Sequence, residues 1–215
     1  MRLEPGRTQE LRLAGERLCL DFANTLDPRH GADATDFLTG YSDLAMWAGH
    51  AGAIARDDLP RLLAEAERRP DEAQATFERA RSLRESVYGS FAAIAAERSA
   101  PGDDLQLLEV AYAEAMGHAR LGSVGRGYAW TWQDDPLELE RPLWPVARSA
   151  AELLTTGELE RIRECPGAGE CGWLFFDTSR NRSRRWCSME SCGNRAKGRR
   201  HYRRTHPAAD RPRLT

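Results

Sequence analysis

A chain of 215 residues that is 41% hydrophobic is long enough for one or two domains with a buried core and too apolar to be disordered. No apolar run approaches the roughly 18 residues needed to span a bilayer, and the N-terminus lacks an apolar signal core, so a cytoplasmic protein is expected. The net charge of −2 conceals a division: residues 1–160 hold 17 basic and 28 acidic residues, a net of −11, while residues 161–215 hold 14 and 5, a net of +9, which points to a polyanion-binding module on a larger acidic body.

The first 157 residues read mostly as helix. "LCLDFANTL" (18–26) sets Leu18, Phe22 and Leu26 four apart, although its first half also suits a strand. "SDLAMWAGHAGAIA" (42–55) places Leu44, Trp47, Ala48, Ala51 and Ile54 on one helical face. The segment 57–69 opens on capping aspartates and carries Pro60 in its first turn, where proline is tolerated, and Pro70 should end it. The longest helix is predicted over 72–98, where Phe77, Ala80, Leu83, Val87, Phe91 and Ile94 recur at steps of three and four. "APGDD" breaks it, and a helix at about 104–120 presents Leu108, Ala111, Tyr112, Ala115 and Ala119. "LGSVGRG" (121–127) reads as a loop, "YAWTWQ" (128–133) alternates as a strand does, and "DDPLELERP" (134–142) reads as a turn with a short return strand. Residues 143–155 are helical again, and "TGELERIREC" predicts a last short helix running into Cys165. The aromatic group Trp47, Tyr128, Trp130, Trp132 and Trp144 is expected to pack in the core rather than line a ligand cavity. "GSVGRG" lacks the strand-before, helix-after context of a dinucleotide loop, and no Walker loop, nucleophile elbow or HExxH helix is present.

Chemistry concentrates near the end. Cys19 lies in an apolar stretch and reads as a small buried hydrophobe. The other four cysteines follow the spacing Cys165-x5-Cys171-x15-Cys187-x4-Cys192. Four thiolates make the closed tetrahedral shell of a structural Zn²⁺, one ion per chain; the alternative is four free or redox-paired thiols. The 15 residues between the two pairs have room for one β-hairpin, with "WLFFD" (173–177) as its first strand, "TSRNRS" (178–183) as its turn and "RRWC" (184–187) as its return. Gly193 allows a tight turn at the metal and Asn194 suits a helix N-cap. Knuckle, hairpin and ligand-bearing helix follow one another in the order of a treble-clef finger. The fold class expected is therefore a mainly α N-terminal domain with a short β-hairpin, plus a small α+β treble-clef zinc finger. The boundaries are 1–157 for the helical domain, 158–206 for the finger and 207–215 for a tail.

Past Cys192, Arg195, Lys197, Arg199, Arg200, Arg203 and Arg204 fill an arc of about 200° on a helical wheel. Gly198, Tyr202 and Thr205 lie opposite, where they should pack against the hairpin. Arg180, Arg182, Arg184 and Arg185 add charge from the hairpin. A module this basic suits phosphate, and arginine offers bidentate phosphate and guanine contacts; the competing role for these arginines is to pair with the acidic body. Two other functions compete with DNA binding. An RNA-binding or ribosome-associated protein would need free aromatics for base stacking, and the aromatics here read as parts of the finger core. A treble-clef nuclease would need a histidine on the hairpin, and 173–187 has none; His201 and His206 follow the last cysteine. No enzyme is expected.

The stretch "CGWLFFDTSRNRSRRWCSMESCGNRAKGRRHYRR" strongly resembles the CGNR zinc finger, named for the tetrad Cys192-Gly193-Asn194-Arg195. "LCLDFANTLD" and "YSDLAMWA" resemble the ABATE domain that precedes this finger in bacterial proteins. The resemblance implies a stress-related transcription regulator, with an N-terminal domain that senses a small-molecule effector and a finger that binds DNA. It also implies Cys165, Cys171, Cys187 and Cys192 as the zinc ligands. The first knuckle, "CPGAGEC", is one residue longer than the common form of the family. Ligand-contacting residues are not specified, and homodimerisation is left open.

Overall fold

A computed structural model describes residues 7–31, 33–132, 137–155, 158–167 and 170–206. The helices are α1 (Leu18–Ala23), α2 (Tyr41–His50), α3 (Leu59–Arg68), α4 (Pro70–Ala95), α5 (Gly102–Gly117), α6 (Trp144–Thr155) and α7 (Asn194–Thr205). Six short strands join them: β1 (Leu26–Asp27), β2 (Thr35–Asp36), β3 (Ala119–Val124), β4 (Gly127–Trp132), β5 (Ile162–Glu164) and β6 (Leu174–Phe176). They pair as three antiparallel two-stranded ribbons, β1–β2, β3–β4 and β5–β6. The mainly α N-terminal region and the small α+β region at the cysteines thus match the expected class; the tail 207–215 lies outside the described residues.

α4 is the central pillar. Its stripe of Phe77, Ala80, Leu83, Val87 and Phe91 is buried as the periodicity predicts, and α1, α2, α3 and α5 pack around it, with α6 against α5 and α1. α3 ends before Pro70 as expected, with the break at Arg69, and Pro70 also opens α4. Proline has no N–H to contribute and its φ already suits a helix, so the first turn is where it belongs. On the α1 side, Phe22 packs against the fully buried Trp47 with ring centroids 5.0 Å apart. Charged side chains also sit inside this packing, Arg84 among them. The Arg84 guanidinium is 2% exposed and reaches both Asp36 oxygens at 2.6 and 2.7 Å, with Thr25 Oγ1 at 3.3 Å. This bidentate pair pins the β1–β2 ribbon to α4.

Several stretches differ from expectation; in 134–142, residues 134–136 lie outside the described residues and 137–142 form no return strand. The loop predicted at 121–127 is instead most of a hairpin, with Leu121 opposite Trp130 and Ser123 opposite Tyr128. Gly125, at φ +60°, supplies the positive φ that a two-residue hairpin turn asks of its first position. The expected core role of the aromatics also fails in part: Tyr128 is 79% exposed and Trp130 45%. Further on, the short helix predicted before Cys165 is one 3-10 turn, Leu159–Arg161, followed by β5. β6 does form where "WLFFD" predicts it, but it pairs with β5 on the N-terminal side of the knuckle, in the register Ile162↔Phe176 and Glu164↔Leu174. Residues 184–187 form no strand.

That exchange of partners changes the packing. Ile162, Leu174, Phe175 and Phe176 belong to the same continuous core as α1 and α4. Asn24, fully buried at the C-terminal end of α1, donates from Nδ2 to Leu174 O at 2.8 Å and accepts from Leu174 N at 2.9 Å. Phe176 N donates to Gly15 O, and Trp173 Nε1 to Leu26 O. The cysteine-bearing region therefore does not have a core of its own.

Candidate functional site

The four clustered cysteines are brought together from three places. Cys165 follows β5, Cys171 precedes β6, Cys187 comes just before a wide π-type turn, Met189–Gly193, and Cys192 lies within that turn, which leads into α7. All four are buried, and their Sγ atoms lie within 4.8 Å of one another. Cys171 and Cys187 are 3.7 Å apart and Cys187 and Cys192 3.6 Å. That separation is the edge of a thiolate tetrahedron around an ion with Zn–S near 2.3 Å.

Local backbone features hold this geometry. Gly167 has φ +27°, and a Cβ there would stand 1.9 Å from Cys171 Cβ. Gly193 approaches Met189 Sδ so closely that a Cβ would meet it at 2.8 Å. Asn194 is not the N-cap the sequence suggests. It already has helical φ and ψ, and the cap is Ser188, whose Oγ accepts from Ser191 N at 3.4 Å. Arg29 N and His30 N, from the N-terminal region, donate to Cys171 O and Glu170 O at 2.8 and 3.0 Å, bracing the first knuckle from outside.

Without a cation, four close thiols cannot all ionise. The Cys192 thiol is drawn down by hydrogen bonds from Cys165, Cys171 and Cys187, with help from Arg195 Nη2 at 3.2 Å. Cys165 is lowered through Cys171, while Cys171 and Cys187 are pushed up, foremost by Cys165. A divalent soft-tolerant cation removes this frustration by stabilising all four thiolates together. The donor set, burial and spacing fit one structural Zn²⁺, and a closed four-sulfur shell leaves no position for a substrate. Cys19 is separate: fully buried in α1, its thiol is pushed up to about 12 by desolvation.

The predicted phosphate-contacting residues fall into two groups. Among the loop arginines, Arg184 is a structural residue. Its guanidinium lies over the Phe175 ring at 4.6 Å and donates to Cys187 O, Ala14 O, Trp186 O and Glu16 Oε1. Arg182 pairs with Glu160 at 3.0 Å. For these two, the pairing with the acidic body is what the structure contains. Arg180 and Arg185 are exposed, the latter 5.8 Å from the Trp186 ring. α7 carries the rest: Arg195, Lys197, Arg199, Arg200, Arg203 and Arg204, all exposed, with no acid between Asn194 and His206.

The far side of α7 departs from expectation. None of its residues is buried, no atom lies within 4 Å of a Cβ built on Gly198, and Tyr202 is 55% exposed. Tyr202 stacks instead on His206, with centroids 4.3 Å apart and planes at 15°. The helix projects from the zinc centre into solvent because 184–187 does not form the strand that would have covered it.

Sequence reasoning missed three contributors. Arg12 reaches across to Ser188 Oγ and Glu190, Asn24 bonds β6, and Gly167 makes room for Cys171. Only the last had a signal, in the glycine density of "CPGAGECG".

The comparisons with known proteins agree with this arrangement. Residues 16–157 match the ABATE family, described as "Putative stress-induced transcription regulator", and residues 161–205 match the CGNR zinc finger. Neither description is that of an enzyme family. A search of curated proteins finds no match to the chain. Among the described residues, no helix is long and apolar enough to cross a membrane. With two thirds of its length matched by the first family and its zinc-binding segment by the second, the chain belongs to the ABATE family and carries a CGNR zinc finger at its C-terminal side.

Proposed function

We propose that this protein is a DNA-binding transcription regulator in which zinc anchors α7 as the reading helix. Residues 1–157 would be the effector-responsive body and 158–206 the DNA-binding finger. The observation that carries the reading is α7 itself: twelve residues, no buried side chain, six cations and no acid. At about 18 Å long it matches what a B-DNA major groove admits. Residues 161–206 hold 12 cations and four acids, and a four-thiolate zinc centre of charge −2 leaves about +6, enough to draw the module to phosphate. A cleft of about 700 Å³ between the segment Glu10–Arg12, Phe37 and the cysteine-bearing loops is where an effector could act on the finger.

One observation favours a second reading, RNA binding. An inward-facing Tyr202 would leave α7 without a stacking surface, but Tyr202 is exposed and stacked on His206. Unpaired bases stack on such platforms. Cross-linking in cells, with DNA and RNA recovered and sequenced in parallel, separates the two. Discrete DNA peaks upstream of genes support the regulator, RNA enrichment supports the second reading, and recovery of neither overturns both.

A further inference from the structure

We infer that two copies of this chain associate through the β3–β4 hairpin, each hairpin seating in the α4–α5–α6 groove of the other copy. The hairpin is an arm. Its two strands pack mainly on each other, and an isolated two-stranded ribbon is marginal in water. Register puts Ala119, Leu121, Trp130, Trp132, Ser123 and Tyr128 on one face. At the base of that face Ala119 is buried and Trp132 packs against Trp144 with centroids 5.8 Å apart. Beyond the base the face is bare: Leu121 is 66% exposed, Trp130 45% and Tyr128 79%.

Next to the arm lies an apolar groove of about 150 Å³, lined by Leu83, Leu107, Val110, Ala111, Leu143 and Trp144. Val110 on its wall is 52% exposed. Trp144 belongs to both features, since it supports the arm through Trp132 and walls the groove. Knob and hole thus adjoin on one surface. A two-fold axis through such a surface lets each arm fill the other copy's groove in a single isologous contact.

Area and charge both favour a second copy as the occupant. The exposed parts of Val110, Leu121, Tyr128 and Trp130 sum to roughly 450 Å² of side chain, within the range of the largest apolar patch of a monomer, where such patches are often functional. A standard interface buries about 800 Å² per partner. The arm carries Arg120 and Arg126 and no acid from Ala119 to Trp132, whereas Glu114 and Glu140 stand at the rim of the groove, Glu140 paired with Arg79 of its own α4, and the body is acidic. Nucleic acid would meet that acidic rim and leave the aliphatic side chains uncovered.

The test uses the full, zinc-loaded chain. Sedimentation equilibrium from about 1 to 100 µM should find a dimer. Trp130→Glu in the arm and Val110→Glu in the groove should each raise the dimer dissociation constant roughly 30-fold or more, as loss of an interface anchor does, with zinc content and far-UV circular dichroism unchanged. A benzophenone amino acid in place of Tyr128 should cross-link to α5 of another copy, identified from mixed ¹⁵N-labelled and unlabelled chains; this readout stands even if a glutamate variant misfolds. A wild-type monomer at the highest concentration overturns the inference. So does a dimer indifferent to both substitutions, or cross-links that fall away from the groove.

Discussion

Replacing Asn24 by alanine should damage the zinc centre from a distance. Asn24 is fully buried, and its side-chain amide both donates to and accepts from the backbone of Leu174 in β6, at 2.8 and 2.9 Å. Asn24→Ala leaves the Leu174 N–H and C=O buried without partners. Each costs about 1–3 kcal/mol, and the small cavity adds to this, for a total of about 3–5 kcal/mol. In a chain of this size that lowers the midpoint of thermal unfolding by roughly 10 °C. Asn24→Asp keeps the acceptor but sets an oxygen against the Leu174 carbonyl, so it should be no milder. The assay is urea unfolding followed by two probes, far-UV circular dichroism for the helices and a chromogenic chelator for released zinc. Leu174 lies between the two cysteine pairs and inside the helical core, so both transitions should shift together. Zinc release moving to lower urea while the helical transition stays in place would refute the shared core. A variant within 1 kcal/mol of wild type would refute the hydrogen-bond reasoning as well.

Cys187→Ser or Cys192→Ser should abolish zinc binding and also lower the unfolding midpoint of the helical body, because Arg29, His30 and Asn24 all bond to the segment the metal organises; elemental analysis with calorimetry checks both, and an unchanged body transition contradicts the prediction. Gly167→Ala forces a Cβ to within 1.9 Å of Cys171 Cβ at a positive φ, and backbone strain of this kind should weaken zinc affinity roughly tenfold or more in a chelator competition. Gly198→Ala, with nothing within 4 Å of the new methyl, should leave zinc untouched and raise helicity. Asp21 is pushed up to about 6 by burial, against the hydrogen bond from Gly15 N at 2.7 Å. Its folded form therefore holds a proton that the unfolded chain has already released, and its contribution is lost as pH rises from about 4 to 6. Asp21→Asn should accordingly stabilise the protein at pH 7 by about 2–3 kcal/mol and not at pH 4; denaturant titrations at both values give the difference, and an equal effect at both would contradict it.

What the sequence disclosed, and what it did not, follows from the range of the forces involved. The stripe of α4 was legible because burial acts through a fixed period, and Phe77 to Phe91 repeat it four times over. The zinc ligands were legible because thiolates close in sequence have few other uses in such a chain. The partner of β6 was not. "RRWC" and "RIRE" flank "WLFFD" at similar distances, and only the fit of Ile162 into the core against α4, together with the use of Arg184 over Phe175, decides between them. The hairpin at 119–132 was half hidden because Gly122 and Gly125 read as loop, although one faces Thr131 across the ribbon and the other makes its turn. Amphipathic reasoning also assigned α7 an inner face. With no strand at 184–187 there is nothing for Tyr202 to pack on, and a pattern that depends on a neighbour fails when the neighbour is elsewhere.

The most direct test of the zinc-anchored reading helix is the salt dependence of binding. Fluorescence anisotropy titrations of a duplex recovered by cross-linking in cells, at several salt concentrations, should compare wild type with the combined change of Arg199, Arg200, Arg203 and Arg204 to alanine. Each phosphate contact removed should shallow the plot of log affinity against log salt by about 0.9. Four lost contacts would flatten it by more than about 3 units, with one zinc per chain retained because no cysteine is touched. A zinc-loaded variant that binds with the affinity and slope of wild type would contradict the account, and α7 would not be the nucleic-acid surface.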